Sequence, residues 1–326
     1  MKRVVCTDFV QRMNDWGHQG KPFLFILDFE LKNPIVLPLE QAYSAGILYT
    51  MNSARNFDQQ TTTSEKFTFQ KFPVSYEKFK EAFDKVLKEI KLGNSFLTNL
   101  TFPTPIKTSL SLSAIFHRSQ APFKLLFGDE FVVFSPESFV TITDGKISSF
   151  PMKGTIDAAL PNAEEQLLTD PKEIAEHHTI VDMIRNDLSI VATEVKVEKF
   201  RFLNHVQTSE KTLIQVSSEI TGKLPENYKS KLGTILSKLL PAGSICGAPK
   251  RKTLESIKEA ETYERGYYTG VFGIFDGQNL QSAVMIRYLE KAGQEYIFKS
   301  GGGITCYSDP MKEYQELIDK VYVPIH

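Results

Sequence analysis

The stretch SYEKFKEAFDKVLKEIKLG places Phe79, Phe83, Val86, Leu87 and Ile90 at helical spacing, which predicts an amphipathic helix stopping at Gly93. Elsewhere the apolar runs are short and bounded by turn residues, and they read as strands. These are PFLFILDF, NPIVLPL, SFLTNLTFPT, KLLFGDEFVVFSPESFVTITDG, KISSFPM, LIQVSSEITGKL, YYTGVFGIFDG, LQSAVMIRYLE and QEYIFKSGGGIT. Further helices are predicted in TDPKEIAEHHTIVDMIRNDLSIVA, near YKSKLGTILSKLL, in PAGSICGAPKRKTLESIKEAE and in SDPMKEYQELIDKVY. The first of these has Asp170 as N-cap, Pro171 at the first helical position and Glu173 completing a capping box. Hairpin-linked strands mixed with separate helices indicate an α+β fold with antiparallel sheets, not a βαβ array. The polar stretch NFDQQTTTSEK reads as a loop or boundary, and no fixed-period repeat or low-complexity tract stands out.

Composition narrows the function classes. The chain has 326 residues, 41% of them hydrophobic and 24% charged, with a net charge of −1. Length suggests about two domains, and the neutral balance argues against nucleic acid or an anionic membrane as main partner. Cys6, Cys246 and Cys306 are widely spaced and form neither a disulfide framework nor a zinc motif. Asp8 interrupts the first apolar run too early for a signal peptide, and no run approaches a membrane span. A soluble, cytoplasmic protein is expected.

Lys153, in PMKGT, is a lysine at a strand end among apolar neighbours. Such a residue is either a solvated edge charge that deters aggregation or an amine kept dry so that it can act as a nucleophile. Two distant helices begin with Asp-Pro, at Asp170 and Asp309, and each carries glutamates three apart: Glu173 with Glu176, and Glu313 with Glu316. Each pair shares a helix face. Taken singly, acids near an N-terminus complement the helix dipole. Brought together, four carboxylates would make an oxygen-rich site for Mg²⁺. Lys320 follows one turn after Glu316, and the glycines of SGGGIT offer a turn whose N–H groups could approach an anion. Arg287 is either a surface ion-pair partner or a fork for a second carboxylate. GSICGAPK lacks Walker A spacing.

PMKGT, KEIAEHHTIVDMIRNDL, GSICGAPKRKTLESI, RGYYTGVFGIFDG, VMIRYLE and GGGITCYSDPMKEYQELIDK occur in the order found in the chorismate-utilising enzymes. The chain over residues 76–323 therefore resembles that family, most closely component I of aminodeoxychorismate synthase. The resemblance implies an α/β sandwich of two antiparallel sheets packed face to face with helices outside, chorismate as substrate and Mg²⁺ as cofactor. It also implies a reduced N-terminal segment, residues 1–75, packed into the same fold as a catalytic domain at 76–326. In relatives the fuller N-terminal region carries a tryptophan site, so feedback by tryptophan is not expected here.

Residue roles follow from the same resemblance. Lys153 matches a nucleophilic lysine of aminodeoxychorismate synthases, where anthranilate synthases usually have alanine. Leu97 stands where isochorismate and salicylate synthases have a water-activating lysine. Glu137 matches the general acid that protonates the departing ring hydroxyl. Lys153 would attack position 2, and ammonia would then add at position 4 and expel it. Burial beside Phe150 and Met152 is expected to lower the Lys153 pKa, as is a bound Mg²⁺. Glu176 and Glu316 would ligate the metal directly, with Glu173 and Glu313 acting through water or orienting them. Arg287, Lys320, Tyr268, Thr155 and the backbone of Gly301, Gly302 and Gly303 would bind substrate carboxylates, with Ala248 and Lys250 lining the pocket.

Three positions depart from the family pattern: Gln215 for histidine, Tyr288 for the threonine after Ile286-Arg287, and Cys246 for the threonine before GAPK. No glutaminase constellation can be assembled, so ammonia is expected from a separate glutaminase subunit or free ammonium. The rival expectations are an anthranilate synthase component I and a non-catalytic chorismate-binding subunit.

Overall fold

The computed structural model of the protein describes residues 5–58, 66–207 and 212–325, so most of the polar stretch after Asn56 lies outside the described residues. Among those residues the strands form two antiparallel sheets of 9 strands each. The first runs in the order Met152–Asp157, Thr212–Lys223, Lys146–Ser149, Ser138–Thr143, Leu280–Val284, Val271–Phe275, Phe23–Leu27 and Ile35–Pro38, with Thr193–Gln207 on the free side of Thr212–Lys223. The second runs Gly247–Ala248, Leu97–Thr108, Glu295–Ile304, Tyr288–Ala292, Phe131–Ser135, Phe123–Phe127, Ile47–Met51 and Ala54–Arg55, with Phe69–Lys71 beside Leu97–Thr108. Segments before residue 75 thus supply strands to both sheets.

Strand periodicity sets the layers. In FLFIL, Leu24 and Ile26 join Phe272 and Ile274 in a core shared with Tyr49, Leu125, Phe131 and Val133 of the second sheet. Phe23, Phe25 and Leu27 face the other way. There they meet Phe9 and Met13 of helix Phe9–His18, Val181, Ile184 and Leu188 of Pro171–Ser189, and Leu232 and Leu236 of Leu232–Leu239. Helix Leu112–Arg118 covers the second sheet with Ile115 and Phe116. Helix Tyr76–Lys91 buries Phe79, Phe83, Val86 and Ile90 against Leu100, Ile304 and Leu317. Its ends are as the pattern predicts: Ser75 accepts from Lys78 N–H, and Gly93 follows at φ +79°.

Several elements differ from the sequence reading. Asp170 does cap its helix, accepting from Glu173 N–H at 3.0 Å, but its own N–H returns to the Gln166 carbonyl. The Glu173 carboxylate is instead turned toward Gly154. The predicted helix extends past Ser189 in the sequence pattern, whereas the chain enters a long strand at Thr193–Gln207 that pattern reading passes over. Gly301–Gly303 form no turn: they sit mid-strand, registered with Thr101, Leu100 and Asn99.

Candidate active site

Lys146–Ser149 and Met152–Asp157 follow one another along the same edge of Thr212–Lys223. Pro151 fills the gap, and its carbonyl accepts from Ser218 N–H at 3.1 Å. Met152 then registers with Ser217 and Thr155 with Gln215, so Lys153 and Gly154 together oppose a single residue in a bulge. Gly154 has φ +83°, and a Cβ there would lie 2.8 Å from Leu167 Cδ1 and 3.0 Å from Glu173 Oε2. Glycine is required on both counts. The bulge sends Lys153 onto helix Pro171–Ser189, where its Nζ lies 2.6 Å from Glu176 Oε2. The two side chains are 29% and 19% exposed, so Lys153 is no solvated edge charge.

The second acidic helix, Pro310–Asp319, is capped by Asp309, which accepts from Met311 and Lys312 N–H. Lys320 Nζ lies 2.6 Å from Glu316 Oε1 and donates to the Gly301 carbonyl at 2.9 Å. The glycine strand supplies space. A Cβ on Gly301 would sit 2.6 Å from the Leu100 carbonyl, and one on Gly303 would sit 2.9 Å from Leu97 Cδ1. A Cβ on Gly302 would face Glu313 Oε2 at 3.4 Å and Glu316 Oε1 at 3.9 Å.

Electrostatics tie these groups together. Burial pushes the Lys153 ammonium down, the largest single influence, but Glu176, Glu173 and Glu316 jointly outweigh it and hold the pKa above 10.5. The expectation of a lowered pKa is therefore corrected for the protein without a bound cation: the same helices that would hold a metal stabilise the charged amine. At Glu137 burial prevails. Burial raises its pKa, against the Ser244 hydroxyl and the charges of Lys153, Arg287 and Lys320, which all lower it. Ser244 Oγ donates to Glu137 Oε1 at 2.8 Å. Arg287, at φ +54°, lies with its guanidinium 5.3 Å from the Tyr322 ring centroid. Tyr268 is buried in the inter-sheet core, where desolvation raises its phenol pKa.

The chorismate binding enzyme profile matches residues 8–326. The chain belongs to the chorismate-binding enzyme family. It is 51% identical over 318 residues, 97% of this chain and 98% of the relative, to an uncharacterized PabA-like protein of Pasteurella multocida. It is 30% identical over 86% of its length, and 60% of the relative's, to anthranilate synthase component 1 of Haloarcula marismortui. Among solved structures, an isochorismate synthase described as 2,3-dihydroxybenzoate-specific, from Bacillus anthracis, shares the fold with a TM-score of 0.70 at 20% identity, over 97% of this chain and 86% of that one. The α+β sandwich is the family's, and its members are chorismate-converting enzymes.

The remaining family positions divide into those near the acidic helices and those drawn elsewhere. Leu97 is buried with Ile180, Met183 and Ala248, an apolar wall beside Gly303. Thr155 is exposed beyond the bulge. The Lys250 ammonium is committed to Asp187 of helix Pro171–Ser189 at 2.9 Å and to the Leu239 carbonyl at 2.8 Å. The departures are absorbed differently. Cys246 is fully buried with Phe29 and Ile257, and Tyr288 turns into the core and donates to Glu290 at 2.9 Å. Gln215 remains half-buried, registered with both Thr155 and Asn204.

Sequence reasoning missed the groups that support the site. Ser244, three residues from its motif's second glycine, gave no sign that it meets Glu137. His177, beside Glu176, is fully buried with Nε2 2.7 Å from Ser218 Oγ, and burial lowers its pKa to about 4. Arg265, 1% exposed, donates to both Glu261 oxygens and to the carbonyls of Asn99 and Ile245. Glu261 also accepts from Thr101 N–H, so this pair substitutes for a neighbouring strand along the edge of Leu97–Thr108. An i,i+4 Glu–Arg pair is the sequence signal that was available.

The donor set fits Mg²⁺ in chemistry: it is all carboxylate, and the Lys153 ammonium on Glu176 already stands in for a cation. In spacing, no group of three His, Cys, Asp or Glu among the described residues is gathered closely enough to hold an ion.

Proposed function

We propose that the protein aminates chorismate at ring position 4, giving 4-amino-4-deoxychorismate, as component I of an aminodeoxychorismate synthase. The observation that carries this reading is Lys153, turned by its bulge onto Glu176 and within electrostatic reach of Glu137. Glu137, whose proton affinity burial raises, gives a proton to the 4-hydroxyl, which leaves as water. The Lys153 ammonium first gives its proton to water, and the free amine forms a bond to position 2 as that hydroxyl departs. Ammonia then adds at position 4, the bond to Lys153 breaks with its electron pair returning to the amine, the ring diene is restored, and the added nitrogen gives its surplus proton back to Glu137. Chorismate and ammonia become aminodeoxychorismate and water. Glu176 and Glu316 would hold Mg²⁺, with Glu173 and Glu313 orienting them, and the bound ion would supply positive charge for a substrate carboxylate. Arg287 and Lys320 add fixed cations, and the Cβ-free face of Gly302 leaves room beside them. The apolar Leu97 offers no group to activate water, which disfavours hydroxylation. A separate glutaminase is proposed as the ammonia source.

Identifying the product formed from chorismate, Mg²⁺ and ammonium, by chromatography and mass, tests the reading. A 4-amino product that disappears in Lys153→Ala is expected. Anthranilate would instead favour the second reading, an anthranilate synthase component I, which the Haloarcula relative supports. Inactivity with and without a glutaminase would favour a non-catalytic subunit.

A further inference from the structure

We infer that Lys153 is an exchangeable counter-ion: a divalent cation displaces its ammonium from Glu176, so that cation uptake and release of the amine are one event. The inference deepens the reading of the acidic helices as a cation site and rests on it. Among the described residues, Lys153 and Lys320 are ion-paired to these carboxylates, and they are held differently. Lys320 belongs to the same helical segment as its partner Glu316, at i,i+4, and has a second acceptor in the Gly301 carbonyl. It is anchored. Lys153 arrives from the sheet, across the gap to another helix, and its hydrogen bond is to Glu176. Its side chain is 29% exposed, leaving its flexible four-carbon stem room to turn.

Glu176 and Glu316 each hold an ammonium, and among the described residues no three His, Cys, Asp or Glu groups are gathered for an ion. A dication entering at Glu176 takes over the charge that holds the ammonium, and at a few ångströms it repels that ammonium. The bulge then gives the released side chain its direction, because Gly154 fixes the backbone on which Lys153 stands. In this arrangement the nucleophile is stored as an ion pair until the cation arrives.

Calorimetric titration of MgCl₂ into the full chain tests this with wild type, Lys153→Met, Glu176→Gln and the double variant. Lys153→Met should bind Mg²⁺ about tenfold more tightly than wild type, which corresponds to about 1.4 kcal/mol. That gain should vanish in the Glu176→Gln background. Without Mg²⁺ the Lys153→Met protein should melt at lower temperature, and Mg²⁺ should raise its Tm more than that of wild type. A measurement that needs no variant is acetylation of Lys153 by an N-hydroxysuccinimide ester, mapped by mass spectrometry with surface lysines as reference. Mg²⁺ should accelerate it. Equal or weaker Mg²⁺ binding by Lys153→Met, or a Lys153 acetylation rate indifferent to Mg²⁺, would overturn the exchange while leaving the cation site intact. No Mg²⁺ binding by any of the four proteins would overturn the cation site and the exchange together.

Discussion

Gly154→Ala tests the link between backbone and chemistry most directly. Residue 154 has φ +83°, a conformation that costs a residue with Cβ about 1–2 kcal/mol. The new methyl would also meet Leu167 Cδ1 at 2.8 Å and the Glu173 carboxylate at 3.0 Å. Leu167 is buried with Ala163, Ile214 and Val216, so it yields only by repacking, an overpacking cost of about 1–2 kcal/mol. The total is about 2–4 kcal/mol. For 326 residues at about 2.1 cal/mol/K each, the unfolding entropy is about 0.7 kcal/mol/K, so the Tm should fall by about 3–6 °C. Activity should fall further than stability explains. A shift of about 1 Å at a reacting group costs on the order of a hundredfold, and the bulge is what aims Lys153. Differential scanning calorimetry and product formation at 20 °C, well below the transition, separate the two effects. A variant with Tm within about 1 °C of wild type and unchanged turnover would refute the assignment of the bulge as the aiming device.

Other predictions probe other links. Ser244→Ala removes a hydrogen bond that lowers the Glu137 pKa, so the carboxyl should titrate higher. Since the acid must be protonated, the alkaline fall in kcat/KM should move to higher pH, and a shift in the opposite direction would exclude Glu137 as the acid. Lys124 is 8% exposed and donates to the Phe116 and Ser119 carbonyls, and burial lowers its pKa from 10.5 to about 8. Between those values the unfolded chain binds the extra proton, so stability should rise with pH through this window, by an amount on the order of 3 kcal/mol. The gain is lost as pH falls through 8, and the wild-type minus Lys124→Met stability difference should show it. Glu261→Gln strips the counter-charge from the buried Arg265 and should cost about 3–5 kcal/mol, read by chemical denaturation.

The sheets and the helix Tyr76–Lys91 were legible because burial imposes periods of two and of 3.6 on the positions that carry them. Phe79, Phe83 and Val86 fall on one face, and FLFIL alternates between two cores. The two Asp-Pro helices were legible for a similar local reason, as cap and carboxylates lie within two turns. The strand Thr193–Gln207 was not, because it is an outer strand whose register against Thr212–Lys223 shifts repeatedly along the ladder. The glycine triplet read as a turn because composition cannot distinguish glycine chosen for φ from glycine chosen for space. Here Thr101, Leu97 and Glu313 decide it. Lys250 read as a pocket residue by motif, and only the fold shows its ammonium paired with Asp187.

The sequence by itself determined which residue types stand at each motif, the α+β class and the family, because these depend on local spacing and order. It also determined that an amine at position 153 and four helix-borne carboxylates exist in one chain. Tertiary structure decided which influence on Lys153 prevails. The sign of the Lys153 shift depends on whether burial or the convergence of Glu173, Glu176 and Glu316 prevails, and those three come from helices some 140 residues apart in sequence. The Glu137 pKa is also raised, but there burial is the influence that prevails, over the cations around it. Electrostatic free energy is set by distance and by access to water, and the order of residues along a chain specifies neither until the chain has folded.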